Sequence, residues 1–253
     1  MSRGVALVTG ASSGIGDALA RVFAEKGFDL VISARREDRL TALADELSVD
    51  VMTVACDLST PEGIEKLIAA TAETKIDVLV NNAGIAYSGD FSGQRIDDIQ
   101  NMTNLNIIAP TALCHHFIGR MIKQGAGRIL NVASVASFQP VPSMSAYAAT
   151  KAYVLSLTES LSEECRGSGV YITALCPGLT KTDMVEDVQG SNVPEFLMSD
   201  PHDVAREGYD ALMSGEVIRI PGVTNQAAIA WAKHQPRWLV RGLGGLLAKI
   251  SPK

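Results

Sequence analysis

The chain has 253 residues, 47% hydrophobic and 20% charged, enough to bury a large core in one α/β domain and unlike the composition of a disordered protein. A net charge of −6 and a pI of about 5.3 argue against a nucleic-acid partner, and no run reaches the roughly 18 apolar residues of a membrane span. Cys56, Cys114, Cys165 and Cys176 show no C-x-x-C spacing, the four histidines form no H-E-x-x-H pattern, and the N-terminus enters a strand at once. No metal and no signal peptide are therefore expected, and a cytoplasmic location is.

Val5 to Thr9 is a short apolar run leading into Thr9-Gly10-Ala11-Ser12-Ser13-Gly14-Ile15-Gly16. A helix follows, with Ile15, Ala18, Leu19, Val22 and Phe23 at helical spacing, and it ends near Gly27. Strand, glycine turn and helix in this order suit a diphosphate. Glycines let the backbone approach the ligand, and the helix N-terminus offers free N–H groups and a positive dipole end. The spacing is G-x-x-x-G-x-G, not the commoner G-x-G-x-x-G. A second strand, Leu30 to Ser33, ends in Ala34-Arg35-Arg36, where an acid would hold the ribose 2′-hydroxyl of NAD. Two guanidinium groups there suit a 2′-phosphate and point to NADP(H). The pair also fits two solvated arginines opening the helix that carries Leu40, Leu43 and Leu47.

Val51 to Ala55 is a third strand, ending in Cys56-Asp57-Leu58, and Thr60-Pro61 reads as the cap and first position of a helix. Asp57 either accepts a hydrogen bond from an adenine amino group or caps a turn. A fourth strand, Ile76 to Val80, ends in Asn81-Asn82-Ala83-Gly84. Strand and helix have by now alternated three times, which predicts a parallel, doubly wound α/β sheet. A long helical stretch from about Arg95 to Lys123 contains Asn106, with Pro110 nearby. Asn is a poor residue for a helix interior, so it either kinks the helix and exposes a carbonyl or sits on a polar face.

The fifth strand, Ile129 to Ala133, delivers Ser134 to a loop, and Tyr147-x-x-x-Lys151 follows on a helix running to about Glu164. Four residues apart on a helix is one face. A phenol with an ordinary pKa of about 10 is a poor base at neutral pH, and a nearby cation lowers it. The pair then exchanges a proton with an alcohol or alkoxide while Ser134 holds the oxygen. Taken alone, the five residues also describe an ordinary helix with a half-buried Tyr and a solvated Lys. A sixth strand, Tyr171 to Cys176, leads to Pro177-Gly178-Leu179-Thr180-Lys181-Thr182, and a last strand is expected at Val217 to Ile220.

Taken together, these motifs resemble the short-chain dehydrogenase/reductase family in its compact form, from Val5 to about Thr182. They are T-G-x-x-x-G-I-G at Thr9–Gly16, D-L at Asp57–Leu58, N-N-A-G at Asn81–Gly84, Asn106, Ser134, Tyr147-x-x-x-Lys151, and P-G at Pro177–Gly178 with Thr182. The resemblance implies a single Rossmann-like domain with a seven-stranded sheet and helices on both faces. It implies a nicotinamide cofactor and hydride exchange with a small carbonyl compound or alcohol. It makes Tyr147 the acid/base, has Lys151 lower its pKa and hold the nicotinamide ribose, and has Ser134 orient the carbonyl. Asn106 would hold a water in the proton relay. The cofactor would be lined by Gly10, Ser12, Ser13, Gly14, Ile15, Gly16, Arg35, Arg36, Asp57, Leu58, Asn82, Ala83, Gly84, Pro177, Gly178, Thr180 and Thr182, besides Tyr147 and Lys151. A catalytically silent NADP(H) sensor on the same fold is the alternative.

Three further expectations concern the second half. Residues 179–200 should cover the substrate, and Met184, Val185, Val188, Val193, Phe196, Leu197 and Met198 suggest an apolar one. The resemblance implies a homo-oligomer, with the long helices at Arg95–Lys123 and Tyr147–Gly167 as the interface, since they have more apolar residues than one sheet face needs. The tail departs from the family pattern: after Glu216 it carries six basic residues and no acidic one. On a helix from Pro236 to Ile250, Leu239, Val240, Leu243, Leu246, Leu247 and Ile250 fall on one side, opposite Arg237, Arg241 and Lys249. Such a stripe packs on the protein or on a neighbouring subunit, or meets an anionic membrane surface.

Overall fold

Side chains that alternate between two apolar layers turn the short hydrophobic runs into strands covered on both faces. In β1 (Val5–Thr9), Ala6 and Val8 enter one core while Leu7 enters the other. The computed structural model describes residues 3–183 and 198–242. Six more strands follow: β2 (Asp29–Ala34), β3 (Val51–Ala55), β4 (Ile76–Asn81), β5 (Gly127–Val132), β6 (Val170–Leu175) and β7 (Ile218–Arg219). They form one parallel sheet in the order β3-β2-β1-β4-β5-β6-β7. The order reverses between β1 and β4, and ligands of such sheets bind outside the carboxyl ends of the strands at that point.

On one face lie α1 (Gly14–Glu25) and α2 (Glu37–Glu46), joined by the later helix α7 (Pro201–Ser214). Phe23 of α1 meets Phe28 and Tyr209 edge-on at 5.4 and 5.2 Å between ring centres. The other face carries α3 (Pro61–Ala70), α5 (Ala109–Gln124) and part of α6 (Ser145–Glu164). Thr60 caps α3 as expected, its hydroxyl accepting from the Gly63 N–H at 3.1 Å, with Pro61 next in line.

Two expectations are corrected, and one element is added. The long helix is split into α4 (Ile96–Thr103), a π turn (Asn104–Ile108) and α5, with the Ala109 N–H reaching back five residues to the Asn104 carbonyl. Pro110 has no N–H to give the carbonyl four residues earlier, which is that of Asn106. The last strand has two residues, not four, because Pro221 and the positive φ of Gly222 (80°) turn the chain away from the sheet edge. The tail holds a helix that its weak apolar period does not announce, α8 (Val223–Lys233), anchored by buried Ile229.

Residues 237–242 are helical again, with Leu239 and Val240 half-buried and Trp238 exposed. The remainder of the basic stripe (Leu243, Leu246, Leu247, Lys249, Ile250) lies outside the described residues, as do the apolar positions Met184, Val185, Val188, Val193, Phe196 and Leu197.

Candidate active site

The turn from β1 to α1 has little room for side chains. Gly10 (φ 68°) and Gly14 (φ 59°) hold left-handed backbone. A Cβ on Gly16 would lie 2.2 Å from the Gly10 carbonyl oxygen and 2.3 Å from Asn82 Nδ2. Asn82 acts as a brace: Nδ2 donates to the carbonyls of Thr9 (2.9 Å) and Gly10 (3.2 Å). Thr9 Oγ1 donates to the Val80 carbonyl (3.1 Å) and accepts from the N–H groups of Asn82 (3.0 Å) and Ala83 (3.1 Å). Two strand ends are thereby locked together. No side chain caps α1; Ser13 Oγ instead accepts from Arg36 Nη2 at 3.0 Å, and Ser12 Oγ does the same at 3.0 Å. A braced glycine turn ending at a helix N-terminus fits a dinucleotide diphosphate, which would sit against Gly10, Ser12, Ser13, Gly14, Ile15 and Gly16.

Gly16→Ala is expected to push Gly10 or Asn82 aside. Overpacking of this kind costs about 1–3 kcal/mol and removes the surface the diphosphate needs. Thermal unfolding and a dinucleotide titration check this; a variant unchanged in both would contradict it.

The second half of the site gathers at the carboxyl end of β5. Lys151 on α6 is 5% exposed, and its ammonium donates to the Val132 carbonyl at 2.8 Å. The same nitrogen lies 5.8 Å from the centre of the Tyr147 ring, one helical turn earlier. Ser134 opens the 3-10 turn Val135–Phe138, its Oγ accepting from the Ala136 N–H at 3.1 Å, and its side chain is near enough to Tyr147 to draw the phenol's pKa down. Asn106 joins from the π turn. Its Oδ1 accepts from the Ile85 N–H (3.0 Å), and its Nδ2 donates to the Ile85 carbonyl (2.9 Å) and to Thr150 Oγ1 (3.0 Å). Gly84 fits between them: a Cβ there would be 3.2 Å from Asn106 Oδ1 and 3.4 Å from Lys151 Nζ. The amide of Asn106 is thus spent on protein partners.

The electrostatics correct one expectation. Burial pushes the Tyr147 phenol above its usual 10, against a smaller downward pull from the Ser134 hydrogen bond. The Lys151 charge does not reverse this, because the ammonium is turned toward Val132. Burial lowers Lys151 itself from 10.5 to about 8, with a smaller upward contribution from Cys176. A phenol that keeps its proton is suited to act as the acid.

Four other expected residues have the following surroundings. Asp57 caps a turn, Oδ1 accepting from the Ser59 N–H (2.9 Å) and Oγ (2.8 Å). Leu58 and Thr180 are buried. Arg35 is exposed and makes no hydrogen bond or ion pair to the described residues. Pro177, Gly178 and Thr182 each contact a neighbouring element. The Pro177 carbonyl accepts from Val135 N–H (2.9 Å), Gly178 packs on Asn225, and the Thr182 methyl meets Gly14.

The model of one known family, described as short chain dehydrogenase, matches residues 4–192. The chain belongs to the short-chain dehydrogenase/reductase family. Among solved structures, it is similar to a short-chain dehydrogenase from Sphingobium yanoikuyae in complex with NADPH. The two are 34% identical with a TM-score of 0.83, over 98% of this chain and 96% of the other. It is also similar to the bulky-bulky ketone specific alcohol dehydrogenase from Comamonas testosteroni (30%, TM-score 0.79, 94% and 96%). A third is a short chain dehydrogenase/reductase from Burkholderia phymatum in complex with NAD (28%, TM-score 0.81, 90% and 92%). A nicotinamide cofactor is common to the first and third.

Sequence reasoning missed the support beneath the site of this dehydrogenase. Asn81 and Asn131 face each other across β4 and β5, Asn81 Nδ2 donating to Asn131 Oδ1 at 2.8 Å. Asn131 Nδ2 donates to Thr158 Oγ1 on α6 at 2.9 Å, and the Cys114 thiol on α5 approaches Asn131 Oδ1 at 3.7 Å. This buried network ties both helices to the two strands that end at the candidate site. One signal was available: an asparagine inside an apolar strand must find hydrogen-bond partners when buried.

Proposed function

We propose that this oxidoreductase transfers a hydride between NADP(H) and the carbonyl or secondary alcohol of an apolar small molecule. The observation that carries the reading is Tyr147, one turn before Lys151 on α6 with the lysine nitrogen 5.8 Å from its ring centre, at the end of β5 where Ser134 opens its turn. The nicotinamide, when bound, supplies or accepts the hydride. Ser134 holds the carbonyl oxygen, Tyr147 gives that oxygen its proton, and Lys151 holds the nicotinamide ribose. The contact between Asn106, Thr150 and α6 keeps the phenol in register. A silent sensor would need none of this acid chemistry.

The choice of NADP(H) is supported by Arg36 lying across Ser12 and Ser13 at the phosphate turn, and by the NADPH complex of one relative. An Arg35→Asp, Arg36→Ala double variant is expected to lose the preference for NADP(H). Equal kcat/KM for the two cofactors in the wild type would contradict this choice. The apolar substrate is supported by the ketone specificity of another relative and by the apolar sequence after Lys181. Four buried free cysteines accord with a cytoplasmic setting.

A homo-oligomer is part of this reading. Ile108, Ile122 and Tyr153 are 51%, 43% and 39% exposed along the π turn, α5 and α6. Light scattering at micromolar concentration should show a multiple of 26.8 kDa; a monomer alone would contradict it.

A further inference from the structure

A surface helix ordinarily turns an apolar stripe inward and a charged face outward. Helix α2 does so: Leu40 and Leu43 are buried, while Glu37, Asp38, Arg39, Asp45 and Glu46 are exposed. Helix α8 does not. Asn225 and Ile229, four residues apart, face the protein, Asn225 against Gly178 and Ile229 in a buried position. The exposed positions from Val223 to Trp231 include Ala227, Ala228 and Ala230 and no charged residue. Val223 and Trp231 are 81% and 51% exposed, and Trp238 in the next helical turn is 66% exposed. Arg237 and Arg241 are exposed beside it, whereas Leu239 and Val240 are half-buried. No acid follows Glu216 in the sequence. The six basic residues beyond it give this end a charge of +6, in a chain of net −6 whose remainder therefore carries −12.

We propose that the face from Val223 to Arg241 docks the enzyme on an anionic lipid surface, with Trp231 and Trp238 among the headgroups and Arg237 and Arg241 paired to lipid phosphates. Tryptophan suits that depth, because its ring is apolar and its indole N–H finds a polar partner there. An apolar helix face accompanied by basic residues binds such surfaces, more strongly as buried apolar area and anionic lipid increase. The acidic remainder of the chain is repelled by the same surface, which leaves this end to face it. A second copy of the chain fits the face less well. A two-fold contact repeats one patch on both partners and would set Arg237 and Arg241 against a patch that carries no carboxylate. Docking needs neither cofactor nor substrate, so its failure leaves the proposed reaction untouched.

Both tryptophans of the chain lie on this face, so intrinsic emission reports the contact directly. Full-length protein is titrated, and then pelleted, with vesicles of phosphatidylcholine alone and of equal parts phosphatidylcholine and phosphatidylglycerol, at low and moderate salt. The emission is expected to shift to the blue with the anionic vesicles and the protein to sediment with them, less so as salt rises. An Arg237→Gln, Arg241→Gln double variant should weaken the partition at low salt by about fivefold per arginine. A Trp231→Ser, Trp238→Ser double variant should sediment several-fold less at both salts. An unchanged unfolding midpoint in each variant separates these losses from misfolding. No blue shift and no sedimentation with anionic vesicles at low salt overturns the proposal. Equal binding to the neutral vesicles, or binding unaltered in either double variant, also overturns it. An emission that shifts with protein concentration in the absence of lipid assigns the face to a second copy and overturns it as well.

Discussion

Tyr147→Phe is expected to reduce kcat by about 10²–10⁴-fold, the span of general acid catalysis, while cofactor affinity changes little. The phenyl ring keeps the packing of Tyr147 on α6. What disappears is the hydroxyl that, in the proposed reaction, gives the substrate oxygen its proton. Its raised pKa makes the loss specific, because at neutral pH nearly every wild-type molecule holds the proton to be given. Single-turnover kinetics with pre-bound reduced cofactor separate the chemical step from binding. A variant retaining more than about a tenth of wild-type kcat would remove Tyr147 from the proton-transfer role.

Lys151→Met should cost turnover on a comparable scale, about 10²-fold or more, and should also change the pH profile. Buried Lys151 loses its proton near pH 8 rather than 10.5. In the wild type, kcat/KM for the cofactor, which reports the free enzyme, should therefore fall as pH rises through about 8. The variant has no such limb. Linkage sets the sign for stability. The folded-state pKa lies below the unfolded one, so the unfolded chain binds more protons between pH 8 and 10.5, and wild-type stability gains as pH rises across that window. Denaturant unfolding of wild type against Lys151→Met should show this relative gain. A profile flat through pH 8 in the wild type, or a limb that survives in Lys151→Met, would contradict the assignment.

The features legible in the sequence are those whose meaning is local. The spacing of Tyr147 and Lys151 needs only the period of a helix, and the conformation at Gly10 and Gly14 needs only a tight turn. Asn106 stood out because asparagine and a nearby proline disturb a helix, and a π turn is what they produce. Other features depend on distant chain. The direction of the Tyr147 shift follows from burial, which the motif does not contain. The burial of Leu58 and Thr180 is likewise not written in the motifs that hold them. The brace from Asn82 to the glycine turn spans 72 or more positions, and the Asn81–Asn131 pair spans 50. Helix α8 escaped because its alanines and exposed Val223 and Trp231 give little apolar period.

The central claim is that Tyr147 and its neighbours perform proton-coupled hydride transfer to a carbonyl, and carbonyl-dependent oxidation of NADPH tests it most directly. Purified full-length protein is mixed with NADPH and a panel of bulky apolar ketones, sugars and keto acids, beside Tyr147→Phe as the control. The account predicts NADPH consumption with the apolar ketones and none above background with the variant. Tight NADPH binding without consumption for any carbonyl in the panel, or equal consumption by wild type and Tyr147→Phe, would contradict it.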